Sequence, residues 1–232
     1  MSTTPKLDKI ASPPRKPKGR ATGENTADRK GDILNAAERL FAQHGFHGVS
    51  IRDIADEAGV QFALVGYYYG PKLNLYHDIF RQRAGYVQDR LAFLAAAQLN
   101  AAPGELLEKI VEAFVLPVLE VARDPKRRNF LRLIQRGMDE QLAEDEELLG
   151  TLFNPMAHAF IDAFTAAIPG ASRGDAACAY QFALGSLLHH VGDRRIEVLS
   201  RGAYLNCDAQ ASPLLLKFIT AGIRGVFARP VH

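Results

Sequence analysis

Residues 50–75 read SIRDIADEAGVQFALVGYYYGPKLNL, and Ser50, Arg52, Tyr67, Tyr68, Tyr69 and Lys72 within them can all donate hydrogen bonds. A hydroxyl, a guanidinium, three phenols and an ammonium form no nucleophile–base pair and no metal-ligand set. They do suit anionic oxygens, which accept from charged and hydroxyl donors. A second cationic set lies downstream, where Arg128, Arg132 and Arg136 are spaced four apart and share one helix face. Phe130, Leu131, Ile134 and Met138 lie on the other side. Either that basic face is solvated and paired with acids such as Glu140 and the AEDEE run at 143–147, or Arg132 or Arg136 turns into a cavity and holds an anion. His189 and His190 are adjacent, so on a helix they point about 100° apart and do not readily share one metal ion. A helix end near solvent suits them, and no metal site is expected.

Helices must position these groups. From Asp28 the pattern is helical, with Ile33, Leu34, Ala37, Leu40 and Phe41 at helix spacing and Gly45 ending the run. Ser50 then stands before IRDIADEA with Asp53 three residues on, a capping box with Asp in place of Glu. Ile51, Ile54, Ala55 and Ala58 mark the inner face of this short helix, and Gly59 closes it where a positive φ is needed. A third short helix is expected over 61–68, with Leu64 and Val65 inward. Three helices in about forty residues with a glycine turn make a helix-turn-helix layout, whose second short helix lies in a DNA major groove. Longer helices are expected over 71–99, 103–122, 125–141, 151–168, 173–192 and 211–228, with Pro117 kinking one of them. No strand-like alternation and no internal repeat occurs, so the class is all-α: a three-helix head followed by a larger helical bundle.

The run ILNAAERLFAQHGFHGVSIRDIADEAGV, followed by the tyrosine cluster and Gly-Pro-Lys, resembles the N-terminal domain of the TetR family of transcriptional regulators. The resemblance is close over residues 28–80 and extends to the rest of the chain only in length and helicity. It implies double-stranded DNA as partner, with Ser50, Arg52, Gln61, Phe62, Ala63, Tyr67, Tyr68 and Lys72 as contact residues. Tyr69 turns inward in place of the family's usual Phe. Tyr67 and Tyr68 face the duplex, where a phenol can bond a phosphate while its ring packs behind; the alternative is that all three rings only pack helix on helix. Lys72, at the first turn of the next helix, can reach a phosphate. Gly66 stands where the family often has Tyr or Asn. It either lets the backbone approach DNA or makes room for Tyr69. Gln61, Phe62 and Ala63 offer few groups to base edges, so thymine-methyl contact, phosphate contact and DNA shape carry more of the recognition.

Residues 81–232 hold no nucleotide loop, no ligand-spaced His/Cys/Asp/Glu cluster and no nucleophile elbow, so neither catalysis nor a cofactor is indicated. The stripes at 173–192 (Tyr180, Leu184, Leu187, Leu188, Val191) and 211–228 (Leu215, Phe218, Ile219, Gly222, Val226, Phe227) suit either core or an association face. The resemblance implies the latter, a homodimer through the last two long helices. It also implies a small-molecule effector in the larger half. Candidate lining residues are Phe114, Phe130, Arg132, Arg136, Phe153, His158 and Asp162, with Phe93, Phe160, Phe164 and Met156 on the same inward-looking stripes.

Composition bounds the rest. The 232 residues carry a net charge of +2, unevenly spread. Residues 1–30 hold eight Lys or Arg against Asp8, Glu24 and Asp28, a surplus of five that leaves the remainder at −3. With four prolines and few large apolar residues, the segment 1–27 reads as a disordered basic arm, either a solubilising tail or a strand drawn to a polyanion. No run approaches the roughly 18 apolar residues of a membrane span, and no secretory leader is seen. Two isolated cysteines suggest a reducing cytoplasm. A ligand-responsive dimeric repressor is thus the leading expectation. An activator or nucleoid-like binder without a ligand is the second. The third, a helical enzyme or carrier, needs a catalytic constellation that is not visible.

Overall fold

The computed structural model describes residues 23–125, 127–140, 143–205 and 210–228. Every regular element among them is helical: α1 (Gly23–His44), α2 (Ile51–Glu57), α3 (Phe62–Tyr69), α4 (Lys72–Gln82), α5 (Gly85–Asn100), α6 (Leu106–Arg123), α7 (Arg128–Glu140), α8 (Ala143–Ala167), α9 (Arg173–Gly192), α10 (Ile196–Leu199) and α11 (Ser212–Phe227). None of the described helices is long and apolar enough to cross a membrane. The expected basic arm lies outside the described residues up to position 22; positions 23–27 are already helical, so α1 starts five residues before Asp28.

α1 to α4 make the head. Ile33, Phe41, Ile54, Val65, Leu75 and Tyr76 are buried together. Tyr76 meets Phe41 and Phe46 edge-on at 5.3 and 5.1 Å, a geometry that aligns positive ring edge with negative ring face. Gly45, Gly59 and Gly70 all take positive φ, at 76°, 64° and 67°, and each ends a helix.

The long helix expected over 71–99 is two helices. α4 stops at Gln82, and Arg83 sits at φ −93°, ψ 7° before α5 begins. A tertiary contact accompanies the break: Nε and Nη2 of Arg83 both donate to Oε2 of the buried Glu38 on α1, at 3.0 and 2.8 Å. That contact ties the exit of the head to its first helix. α8 begins eight residues before the expected start at 151.

The larger half packs α5 on α6 and α8, α8 on α9, and α11 on α6 and α9. Its core is the buried faces of α6 to α9, including Phe114, Phe160, Phe164, Tyr180 and Leu187. α6 runs on past the buried Pro117. α1 also packs on α7, so the head and the larger half share one continuous apolar core. Cys178 is a free, exposed thiol, and Cys207 lies outside the described residues.

Candidate nucleic-acid interface

Ser50 starts α2 as the sequence implies. Its Oγ accepts from the amide of Asp53 at 3.2 Å, and its own amide donates to Oδ2 of Asp53 at 2.8 Å. Such a reciprocal cap is worth about 1 kcal/mol. The backbone hydrogen bond from Ser50, then its hydroxyl, hold the Asp53 carboxyl below the usual carboxylate range. Ser50 is exposed beside its cap. Arg52, two residues on, is exposed.

α3 is presented by the turn at Gly59. Gln61 occupies its N-cap position without bonding its own helix, so the amide is unused there. Gln61, Phe62 and Ala63 are exposed, and Phe62 is 57% exposed, unusual for so large an apolar ring. Leu64 is half-buried and Val65 buried, which fixes the helix on the head.

The three tyrosines separate by helical geometry. Tyr67 is 80% exposed, Tyr68 half-buried and Tyr69 buried. Tyr67 and Tyr68 touch edge-on at 5.3 Å. The Tyr69 hydroxyl donates to the carbonyl of Lys30 on α1 at 2.7 Å, and burial, then the charge of Asp78, pushes its phenol up to about 12. One tyrosine therefore fastens α3 to α1 while one stands in solvent. Gly66 is exposed, and a β-carbon built there would meet nothing within 4 Å. Its lack of a side chain makes no room for Tyr69 and leaves bare backbone on the open side of α3.

Lys72 differs from the free surface cation the spacing suggests. Its Nζ donates to the carbonyls of Phe46 and Val49 at 2.8 and 2.9 Å and lies 4.3 Å over the Phe46 ring. Burial lowers its pKa. An ammonium has three N–H groups, so one remains for a further acceptor. Lys72 thus locks the loop between α1 and α2 on which Ser50 stands.

The residues expected to line an effector cavity do not converge. Phe114 is buried against Phe160, Phe164 and Tyr180, while Phe130 packs on Phe80 and Tyr86. Phe153 is half-buried beside Phe80. Phe93 is half-exposed on α5 rather than inward. His158 and Asp162 lie on the exposed face of α8, where both contact Arg173, so the cavity placement read from sequence is corrected. The i, i+4 stripe of α8 that carries Phe160 and Phe164 does not carry them. Arg136 donates from Nε and Nη2 to the carbonyls of Ala42 and Gln43, at 3.2 and 2.8 Å. These are last-turn carbonyls of α1, which have no partner within their own helix. Of the expected polar set, Arg132 borders a cleft of about 410 Å³ shared with Arg123, Arg128 and Arg194, and Arg132 and Arg136 both line a neighbouring hollow.

Arg90 escaped the sequence reading. It is 2% exposed, and its guanidinium lies 5.7, 5.0 and 5.2 Å from the rings of Tyr86, Phe114 and Phe160. Nη2 donates to the Phe114 carbonyl at 2.7 Å and Nη1 to the Tyr86 hydroxyl at 3.3 Å, while Nε is buried without a partner. Burying a lone cation costs several kcal/mol. Three desolvated cation–π contacts at about 2 kcal/mol each offset much of that. The one available signal was an arginine on the same face of α5 as Tyr86 and Leu94.

Outward apolar side chains of the larger half include Phe182 (66% exposed) on α9 and Leu214, Phe218 (65%) and Val226 on α11, beside others such as Leu99 on α5 and Val198 and Leu199 on α10. Tyr180, Leu187, Leu188 and Ile219, which the stripes offered as association face, are instead in the subunit's own core.

Residues 33–79 match the family model described as bacterial regulatory proteins, tetR family, and residues 112–222 match that of the Tetracyclin repressor-like C-terminal domain. Among curated proteins the chain is similar to the HTH-type transcriptional repressor AcnR of Corynebacterium efficiens, 27% identical over 128 residues. It is also 33% identical over 142 residues to the HTH-type transcriptional regulator RutR of Escherichia coli K12. These alignments cover 55% and 61% of this chain and only 57% and 61% of the relatives' own lengths. Among solved structures, the hemolysin II transcriptional regulator HlyIIR superposes with a TM-score of 0.58 at 18% identity, covering 84% of this chain and 98% of that one. FadR from Bacillus subtilis in complex with stearoyl-CoA gives 0.58 at 18%, covering 82% and 97%. At such identities the structural likeness establishes the fold alone.

Proposed function

The chain belongs to the TetR family of bacterial regulators, and from that premise we propose that it is a dimeric DNA-binding transcriptional regulator, a repressor released from its operator by a small-molecule effector. The observation that carries this reading is α3: a helix pinned from behind by Val65 and Tyr69 that keeps Phe62 and Tyr67 in solvent. Exposing two aromatic rings on one short helix has no use in folding. It suits a helix laid in a major groove, with Phe62 and Ala63 against thymine methyls and Gln61 at a base edge. Tyr67, Tyr68, Ser50, Arg52 and the third N–H of Lys72 then serve flanking phosphates.

A single head of this size binds weakly. Two heads held one helical turn apart read a palindrome with far greater avidity. The outward strip of Phe182, Leu214, Phe218 and Val226 suits the surface that joins two copies. Gly185, Gly222 and Gly225, each with open space beside it, permit close helix approach there. As a regulator the protein acts where the chromosome lies, in the bacterial cytoplasm. An effector that fits the larger half better in one arrangement than the other shifts the spacing of the heads, and only that difference in affinity is needed.

A gel shift of the protein with its own upstream DNA, over a series of salt concentrations, tests the reading. Sequence-preferring binding that falls steeply with salt is expected. Tyr67→Phe weakens binding across sequences, and Lys72→Ala does so while reducing the salt slope by about 1. Binding without sequence preference, or unaltered by both substitutions, removes the proposed interface.

A further inference from the structure

Between α7 and the corner where α9 meets α10 lies the cleft of about 410 Å³ bordered by Arg123, Arg128, Arg132 and Arg194, with Glu197 as its one lining carboxylate. Arg123 is occupied at 2.7 Å with the hydroxyl of Ser212. Asp193, next to Arg194 in the chain, is committed to Arg195 at 2.6 Å and to His189 at 3.3 Å. Those bonds hold its carboxyl near a pKa of about 2. Arg128, Arg132 and Arg194 have no acidic partner among the described residues. Burial, then the charges of Arg194 and Arg128, act on Arg132 so as to disfavour its protonated form. Like charges gathered in a concavity raise the local concentration of counter-ions.

The cleft also has an outlet toward the head. A neighbouring hollow of about 680 Å³ shares Arg132, Gln135, Gly192 and Arg194 with it and reaches Ala42 and Gln43 at the end of α1. Arg136, one turn beyond Arg132 on α7, holds the carbonyls of those two residues.

We propose that this cleft binds a small, multiply charged anion, bearing phosphates or several carboxylates, and that its occupancy is felt by the head through Arg136 and the end of α1. The guanidinium forks of Arg128, Arg132 and Arg194 match such oxygens in geometry and number. An anion seated beside Arg132 competes with the α1 carbonyls for Arg136. Binding stands on the cleft alone; the consequence at DNA rests on the repressor reading.

Calorimetric titration of the full chain at constant ionic strength, with inorganic pyrophosphate and with citrate, and with acetate as the singly charged control, separates the possibilities. Saturable binding of pyrophosphate or citrate but not acetate is expected, weakened about tenfold or more by Arg132→Gln and by the exposed Arg194→Gln. Preference for pyrophosphate assigns phosphate esters, and preference for citrate assigns polycarboxylates; either upholds the site. Heats equal for all three anions, or insensitive to Arg194→Gln in a normally folded variant, overturn it. In a gel shift the bound anion releases DNA from the native chain and fails to do so from Arg136→Gln. Anion binding without release overturns the coupling through α1. Failure to bind DNA with or without anion sinks the repressor reading and leaves the calorimetry standing.

Discussion

Lys72 in the head and Arg90 in the larger half each place a cation against aromatic rings and hydrogen-bond it to main-chain carbonyls, and neither meets a carboxylate among the described residues. They differ in their reach to water. Lys72 is half-buried and keeps one N–H to share, whereas Arg90 is sealed in with an unmatched Nε. A cation at the rim of a core can serve the fold and a ligand together. One at the centre is committed to the fold, and its removal leaves a hole as well as unpaired acceptors.

That contrast breaks if the core cation proves dispensable. Arg90→Ala is expected to cost about 3 kcal/mol in urea unfolding, from the cavity plus the deserted Phe114 carbonyl and Tyr86 hydroxyl. A loss below about 1 kcal/mol would mean that the cage closes without its ion. Lys72→Ala should cost less, about 1–2 kcal/mol, because water reaches the Phe46 and Val49 carbonyls it leaves behind. A cost as large as that of Arg90→Ala would erase the distinction between rim and centre.

Tyr69 is the intermediate case, a buried phenol with Lys30 5.4 Å over its ring. Tyr69→Phe removes one hydrogen bond and should cost about 1 kcal/mol. Its phenol also gives a pH signature. The folded value of about 12 lies above the ordinary 10.0, so the folded state holds the proton more tightly. The corresponding stability is complete below pH 10 and lost as pH rises toward 12. Denaturant midpoints across that range should fall in the native chain and stay flatter in Tyr69→Phe. Smallest of all, Gly66→Ala should stabilise the head by about 0.5–1 kcal/mol, since its methyl meets nothing. If the same change weakens DNA binding, the bare backbone of α3 has a use at the duplex.

The head is largely legible in the amino-acid sequence. The Ser50–Asp53 cap and the turn at Gly59 follow from capping and φ preferences, both local rules, while the inward turn of Tyr69 is what the resemblance to the TetR family implies. Lys72 was placed on the correct helix end, but its carbonyl partners come from residues 23 and 26 positions earlier, which spacing does not reveal. The larger half followed long-range geometry. The break at Arg83 coincides with Glu38 on another helix, and Arg136 caps a helix that ended ninety-odd residues before it. On α8, His158 and Asp162 were drawn inward with Phe160 and Phe164 because periodicity defines a face without saying how wide it is. Arg90 was passed over because a single arginine on an apolar stripe reads as surface unless the three rings that enclose it are known to meet.

The strip formed by Phe182, Leu214, Phe218 and Val226 has a thermodynamic corollary. With a second copy covering it, unfolding liberates two chains from each assembly, and mass action then makes heat resistance a function of dose. A melting temperature recorded at micromolar protein would lie below one recorded at a hundredfold higher level, and Phe218→Asp would flatten that dependence. How much of this protein a cell makes would then help to decide how much of it stays folded.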